Sequence, residues 1–182
     1  MASLTRALMY RDLKQALAGR NLAGKWLSIA SDAKAIVDTS GITQTHVTFP
    51  AGDWCNLVCH GDNSADVVFS DQVLEHVRYP WKAIDETYRV LRPGGLHICT
   101  TCAFNPIHRC PQDYWRFTCD GLRVLHERFQ VLHTGSWGSA TAIKYLADGG
   151  PRELLPANEH LAELNEPNWP IHVWIITQKG TP

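Results

Sequence analysis

Short apolar runs alternate with amphipathic segments along the chain, which predicts strands alternating with helices. The runs at 65–70 (ADVVFS) and 171–179 (IHVWIITQK) have the length and bulk of buried strands. Residues 80–91 place apolar side chains at helical spacing, and Pro93 with its two following glycines ends that helix. The predicted strands are 25–31, 33–40, 45–53, 65–70, 96–101, 130–138 and 171–179. The pattern indicates an α/β fold.

The length and the apolar pattern predict one domain over residues 1–182. An N-terminal helix is expected within residues 1–24, with Leu4 and Leu13 on its apolar stripe. A further helix should begin after Thr118, whose hydroxyl can cap it. Residues 151–170 are rich in proline and acidic residues, which predicts a surface excursion with a short helix before the last strand.

Composition limits the classes of partner. The formal net charge is −1 and there is no long run of Lys or Arg, so nucleic-acid binding is not expected. No apolar run approaches the ~20 residues of a membrane span. Charged residues interrupt the apolar residues at the N-terminus, unlike a signal peptide. These features predict a cytoplasmic protein with no membrane partner, and they leave its oligomeric state open.

Six cysteines lie in the middle of the chain. Cys55, Cys59 and the pair in CTTC raise the alternative of a zinc site. Cys99 and Cys102 fall in a predicted strand and just past its end, which favours small buried thiols over a zinc knuckle. No metal site is predicted, because the histidines too are scattered without ligand spacing.

Three motifs carry a resemblance to a known family. They are NSADVVFSDQVLEHV, AIDETYRVLRPGGL and FNPIHRCPQDYWRFTCDGL, in this order along the chain. With them the chain resembles the class I S-adenosylmethionine-dependent methyltransferases, specifically the small branch with a methyltransferase-11-type domain. The resemblance implies a Rossmann-like, mostly parallel sheet flanked by helices. It also implies S-adenosylmethionine as cofactor and a small-molecule or glycan-like methyl acceptor.

The resemblance implies a set of cofactor-binding residues at the strand ends. These residues are Ala30, Ser31, Asp38, Asp53, Trp54, Ser70, Asp71 and Gln72. In this set Asp38 would bind the ribose hydroxyls and Asp53 the adenine amino group. Trp54 would cover the adenine ring.

The sequence departs from the glycine-rich cofactor loop of the family. Alanine stands at Ala30 in place of the first glycine, and serine replaces the usual acid. The passage from the first strand to the fourth is also too short for two complete strand–helix–strand units of ~30 residues each. The N-terminal half of the sheet is therefore expected to be shortened. Two interpretations follow. Either the cofactor binds through the remaining residues, or the protein lacks methyl transfer and its fold serves as a partner-binding module or is reused for another reaction.

Candidate catalytic residues follow the fourth and fifth strands of the family pattern. His76 and His108 are candidate general bases, since histidine titrates near neutrality. Asp113, Tyr114 and Arg116 are candidate substrate-binding residues in the DYWRFT motif. Structural roles are the alternative: His76 could begin a helix, Glu75 could cap one, and the aromatic residues could pack the loop on the sheet.

Overall fold

The computed structural model describes residues 4–181. The helices and strands are given in chain order. They are α1 Leu4–Leu17, β1 Gly24–Ile29, β2 Ile42–Val47, β3 Ala65–Asp71, α2 Pro80–Val90, β4 Leu91–Cys102, α3 Cys119–Leu125, β5 Gln130–Trp137, α4 Ala140–Ala147, α5 Glu159–Ala162 and β6 His172–Gln178. Two single turns of 3-10 helix lie at Ala33–Ala35 and Leu74–His76.

These strands form one sheet in the order β2-β1-β3-β4-β6-β5. The four strands from β2 to β4 are parallel, and β6 runs antiparallel to both of its neighbours. In this register Ile29 pairs with Val47 on one side and with Ser70 on the other. The carboxyl ends of β1, β2 and β3 therefore meet at one edge, which is where parallel α/β sheets bind ligands. The predicted mostly parallel, Rossmann-like sheet is confirmed.

Helices cover both faces of the sheet. On one face α1 packs Leu13 against Trp26 and Trp174, in a cluster that also includes side chains of α4 and α5. On the other face Ile84 of α2 and Leu122 of α3 join a second buried cluster. Thr118 caps α3 as predicted, since its hydroxyl accepts a hydrogen bond from the N–H of Gly121 at 3.0 Å. Among residues 4–181 no helix has the length and apolar character needed to cross a bilayer.

The N-terminal half of the sheet differs from the predicted strands. Residues 33–40 were predicted as a strand, but only a 3-10 turn forms there, with Asp32 accepting a hydrogen bond from the N–H of Lys34. The strand expected at 45–53 is Ile42–Val47, and it pairs directly with β1. Helix α4, with Ser139 as its cap, was not predicted. The expected shortening is thus confirmed, through the loss of a strand and of the helix after β1.

A clamp centred on Arg89 holds the loop between β2 and β3. Its guanidinium pairs with Glu86 at 2.8 Å and donates hydrogen bonds to the carbonyls of Leu57 and His60. The Glu86 carboxylate also accepts from the N–H of Leu57 at 2.7 Å, and Arg89 holds the pKa of Glu86 below its usual range. The Glu86–Arg89 pair therefore fixes the loop between β2 and β3.

Candidate functional site

Two residues at the strand ends adopt a backbone conformation that favours glycine. Ala30 follows β1 with φ +46°, and Gln72 follows β3 with φ +57°. The N–H of Ala30 donates to the carbonyl of Val47, and the N–H of Gln72 donates to that of Thr100. Left-handed backbone at residues other than glycine costs free energy and occurs preferentially at functional sites. The structure places both at the carboxyl edge of the sheet.

Ser31 and Asp71 lie between these two turns. The Ser31 hydroxyl donates to the carbonyl of Phe69 at 2.9 Å, which ties the end of β1 to β3. Asp71 accepts from the hydroxyl of Tyr10 at 2.6 Å and from Arg6 at 3.3 Å. Its other oxygen accepts from the Thr100 hydroxyl at 2.5 Å. Helix α1 therefore lies over this edge and anchors a carboxylate there.

The remaining predicted cofactor residues fall in three different places. Ser70 is fully buried within β3, one residue before the edge. Asp53 is exposed on the loop after β2, where one oxygen accepts from the N–H of Cys55 at 2.8 Å. Trp54 is 4% exposed, and its indole N–H donates to the Thr87 hydroxyl at 2.9 Å. The prediction that Trp54 covers an adenine is therefore wrong, because its ring is part of the core.

Asp38 was predicted at the end of a second strand, and this placement is wrong. It precedes β2, whose first residue Ile42 pairs with Gly24 at the start of β1. Asp38 thus lies at the amino edge of the sheet, where it lines a shallow pocket together with Arg20 and Asn21. Its carboxylate accepts from the N–H and hydroxyl of Ser40. The acid that should bind a ribose is absent from the end of β2, where Thr48 follows.

Several features of the carboxyl edge suit S-adenosylmethionine. The left-handed turn at Ala30 reproduces the conformation for which the family uses glycine. Ser31, Asp71 and Gln72 surround that turn with polar groups, and Asp53 follows the adjoining strand. These residues fit the cofactor, although its ribose lacks the usual partner.

Beside this edge two histidines and a glutamate come together. Glu75 is 0% exposed, and one of its oxygens, Oε2, accepts from the Thr101 hydroxyl at 2.7 Å. The other oxygen, Oε1, lies 4.0 Å from His76 Nε2 and 3.8 Å from His108 Nε2. The two imidazole rings meet edge to face, with centroids 4.8 Å apart. The structure thus brings together both predicted catalytic histidines, although they are far apart in sequence.

The DYWRFT loop positions His108. The carbonyl of Glu75 accepts from the N–H groups of Tyr114 and Trp115, which docks the loop on the 3-10 turn. Arg116 binds both oxygens of Asp113, at 2.5 and 2.8 Å, and holds the pKa of that carboxyl well below its usual range. Asp113 also accepts from the N–H of His108 at 2.8 Å.

The candidate substrate-binding residues therefore separate into two kinds. The Asp113 side chain is 2% exposed and, like Arg116, is occupied in folding the loop. Arg116 donates in addition to the carbonyls of Asn105 and Pro106. Tyr114 is 44% exposed and remains accessible. The pair Asp113–Arg116 therefore holds the loop that carries His108, whereas substrate binding by Tyr114 stays a prediction.

Residues 5–99, about half of the chain, match the model of the methyltransferase domain family. The chain belongs to this family. The predicted methyltransferase family, whose cofactor is S-adenosylmethionine, is confirmed.

Sequence relatives match this chain only over a short segment. An uncharacterized methyltransferase of Mycolicibacterium vanbaalenii is 54% identical over 37 residues, which are 20% of this chain and 14% of that protein. The ubiquinone biosynthesis O-methyltransferase of Ruegeria pomeroyi is 46% identical over 41 residues, which are 22% of this chain and 16% of that protein. The matched segment spans about a seventh of these curated relatives' length.

Solved structures show the fold over nearly the whole chain. A SAM-dependent methyltransferase from Archaeoglobus fulgidus superposes with a TM-score of 0.61 at 14% identity, covering 96% of this chain and 94% of its own. Phosphoethanolamine N-methyltransferase 2 of Haemonchus contortus, in complex with S-adenosyl-L-methionine, gives a TM-score of 0.63 at 13% identity and covers 95% of this chain and 52% of its own. At these identities the likeness establishes the fold of this chain and nothing further.

Sequence reasoning missed the roles of Tyr10 and Glu75. Tyr10 lies on the helix stripe and gives no sign that its hydroxyl reaches the end of β3. Glu75 was interpreted as a helix cap, but its side chain points into the protein and is fully buried. The available signal was its position directly after the fourth family strand, in the LEHV motif.

Proposed function

We propose that this methyltransferase binds S-adenosylmethionine at the carboxyl ends of β1 and β3 and methylates a small-molecule or glycan-like acceptor. The observation that carries the proposal is the pair of left-handed residues, Ala30 and Gln72, at the ends of two adjacent parallel strands. Such strain persists where function requires a particular backbone path. The family membership supplies the class of cofactor.

In the proposed site the protein mainly aligns its two ligands. Bound S-adenosylmethionine supplies an already activated methyl group, so alignment of the acceptor contributes most of the remaining catalysis. Ser31 ties the end of β1 to β3, and Asp71 anchors α1 over that edge through the hydroxyl of Tyr10. The side chain of His108 is 40% exposed. We assign it the position beside the acceptor's proton.

Exposed aromatic rings favour a flat, hydroxyl-bearing acceptor. Tyr79, Trp81 and Trp115 form a chain of edge contacts with centroids 5.7 and 6.3 Å apart, and all three rings are 37–48% exposed. They lie where α2 begins, next to the DYWRFT loop, because the Trp115 N–H donates to the carbonyl of Val77. Aromatic faces beside hydrogen-bonding groups suit an amphipathic ring such as a sugar.

Calorimetry with S-adenosylmethionine and S-adenosylhomocysteine tests the cofactor site. We expect heat of binding for both ligands at concentrations up to ~1 mM, which corresponds to only about −4 kcal/mol. The absence of binding heat at that concentration would overturn the proposal. Transfer of a labelled methyl group to a panel of sugars and small hydroxylated compounds then tests the reaction. Binding without transfer to any acceptor would favour a methyltransferase-like module instead.

A further inference from the structure

We propose that Glu75, His76 and His108 bind a divalent first-row transition metal ion, for which Zn²⁺ is the probe. One ligand atom from each residue, within residues 4–181, lies within 4.8 Å of the other two. Two imidazoles with one carboxylate are a common ligand set for zinc and for other first-row ions, with further positions left open.

The hydrogen bonds of both imidazoles direct their lone pairs toward Glu75. His76 Nδ1 lies 2.5 Å from the carbonyl of Gln112, and His108 Nδ1 lies 3.1 Å from the carbonyl of Pro106. A carbonyl can only accept, so each Nδ1 carries a hydrogen, and in the neutral imidazole Nε2 then presents a lone pair. The amide nitrogen of Asn105 also approaches His108 Nδ1, at 3.3 Å, but the carbonyl is nearer.

Three acceptor atoms therefore converge with no hydrogen between them. The distances from Glu75 Oε1 to the two Nε2 atoms, 4.0 and 3.8 Å, exceed the reach of a hydrogen bond. Three converging lone pairs repel one another unless a cation lies among them. Backbone carbonyls that orient ligating histidines through Nδ1 are also the usual outer partners of protein metal sites.

The burial of Glu75 supplies a second, independent observation. Its side chain is 0% exposed, and among residues 4–181 its Oε1 finds no hydrogen-bond partner. A buried carboxylate oxygen without a partner is costly and calls for an explanation such as a bound ion. The same oxygen is the atom that faces both histidines.

The spacing suits an ion after a contraction. Ligands ~2.1 Å from a tetrahedral zinc ion lie ~3.4 Å apart. The separations of 4.0 and 3.8 Å from Glu75 Oε1 to the two Nε2 atoms therefore need to close by about half an ångström, and the two Nε2 atoms, which lie within 4.8 Å of each other, by no more than about 1.4 Å. His108 sits on the loop that is docked by Tyr114 and braced by Asp113 and Arg116. Movement of that loop toward Glu75 would provide the contraction.

An ion bound by Glu75, His76 and His108 would change the role of the two histidines. With their lone pairs engaged they would act as ligands, and an acceptor oxygen in an open position would lose its proton to water more easily. This consequence rests on the proposed methyl transfer. The metal site itself does not, since it can be tested without cofactor or acceptor.

Equilibrium dialysis against ~10 µM Zn²⁺, followed by metal analysis, tests the site. We expect one ion per chain in the wild type. Both His108→Ala and Glu75→Gln should weaken binding by more than ~100-fold, the upper end of the loss seen when an outer partner alone is removed. His160→Ala, which removes an exposed histidine of α5, should retain the ion. Far-ultraviolet circular dichroism confirms that each variant is folded.

Cobalt(II) provides a readout of ligand type. We expect visible d–d bands without the charge-transfer band of a thiolate, and loss of these bands in His108→Ala. A thiolate band would assign the ion to a cysteine such as the exposed Cys110 and overturn the proposal. Equal metal content in the wild type, His108→Ala and Glu75→Gln would overturn it as well, and so would a wild type that binds no ion. Failure of S-adenosylmethionine binding would leave these metal measurements unaffected.

Discussion

The hydroxyl of Tyr10 lies 2.6 Å from Oδ2 of Asp71 and joins the N-terminal helix to the end of β3. Burial, followed by the charge of Asp71, raises the pKa of Tyr10 to about 12, so the hydroxyl remains a donor at neutral pH. Arg6, one turn earlier in α1, approaches the same oxygen at 3.3 Å. A helix that precedes the sheet in sequence thus closes the edge at which the cofactor is proposed to bind.

Replacing Tyr10 by phenylalanine should lower the free energy of unfolding by about 1.5–3 kcal/mol. The change removes a hydrogen bond to a charged, largely buried carboxylate and leaves that carboxylate with fewer donors. Urea unfolding at neutral pH measures the effect. Tyr79→Phe is the matched control, because the Tyr79 ring is exposed and its hydroxyl makes no hydrogen bond in the described structure. Equal losses in the two variants would contradict the role assigned to the Tyr10 hydroxyl.

Ala30→Gly should stabilise the protein by about 0.5–1 kcal/mol. A left-handed residue other than glycine costs ~1–2 kcal/mol, and the greater freedom of glycine in the unfolded chain offsets part of the gain. The midpoint of urea unfolding should rise with an unchanged slope. Because glycine restores the loop residue that the family uses, affinity for S-adenosylhomocysteine should be unchanged or higher.

Ala35→Gly is the matched control for that substitution. Ala35 lies in the 3-10 turn a few residues later and has a negative φ. Glycine there relieves no strain and adds freedom to the unfolded chain, so we expect a loss of about 0.5–1 kcal/mol. Changes of the same sign at both positions would show that the conformation of Ala30 carries no strain.

Much of the fold was predictable because the C-terminal half of the sheet obeys simple patterns. The buried strands β3 and β6 are continuous apolar runs, and α2 ends at Val90, three residues before the predicted stop at Pro93. The N-terminal half was mispredicted because residues 33–40 also have an apolar run. Ile36 is buried, but it packs from a 3-10 turn onto the cluster around Trp26, and burial alone does not distinguish a strand from a turn.

The candidate site was predictable only where it depends on strand ends. Asp71 and Gln72 follow a clear strand, and their position at the carboxyl edge followed from the topology. Asp38 was misplaced because the strand that should have carried it does not form. The cluster of Glu75 with His76 and His108 escaped sequence analysis, because its third member arrives on a loop whose path depends on Asp113 and Arg116.

The two acids that were predicted to bind the nucleoside should differ in the effect of their substitution on ligand affinity. Asp53→Ala should weaken binding of S-adenosylhomocysteine by ~1–3 kcal/mol, the scale of a lost hydrogen bond to a ligand. Asp38→Ala should leave the affinity unchanged, since Asp38 lies at the opposite edge of the sheet. Calorimetry on the two variants measures both affinities. An effect confined to Asp38→Ala would place the cofactor at the amino edge and contradict the proposed site.

Two buried histidines on the α3 face should make the stability fall in weak acid. His126 donates from Nδ1 to the carbonyl of Leu122 at 2.7 Å, and its Nε2 lies 3.1 Å from Nδ1 of His97. Both rings are 0% exposed. Burial lowers the pKa of His126 to about 4, and burial together with the neighbouring imidazole lowers the pKa of His97 well below its usual value. Both imidazoles are therefore neutral in the folded protein.

A histidine whose pKa is lower in the folded state gives stability that is complete above its unfolded pKa of ~6.5 and is lost as the pH falls toward the folded value. Between pH 7 and pH 5 we expect each ring to lower the free energy of unfolding by about 2 kcal/mol, because the unfolded chain takes up a proton that the folded chain excludes. Urea unfolding at both pH values measures the loss in the wild type. His126→Gln should remove about half of the part due to this pair, whereas His160→Gln, at an exposed position, should change nothing. If the pH dependence of His126→Gln is as large as that of the wild type, this pair does not set the acid sensitivity of the fold. Other groups that stay unprotonated in the folded state would then do so.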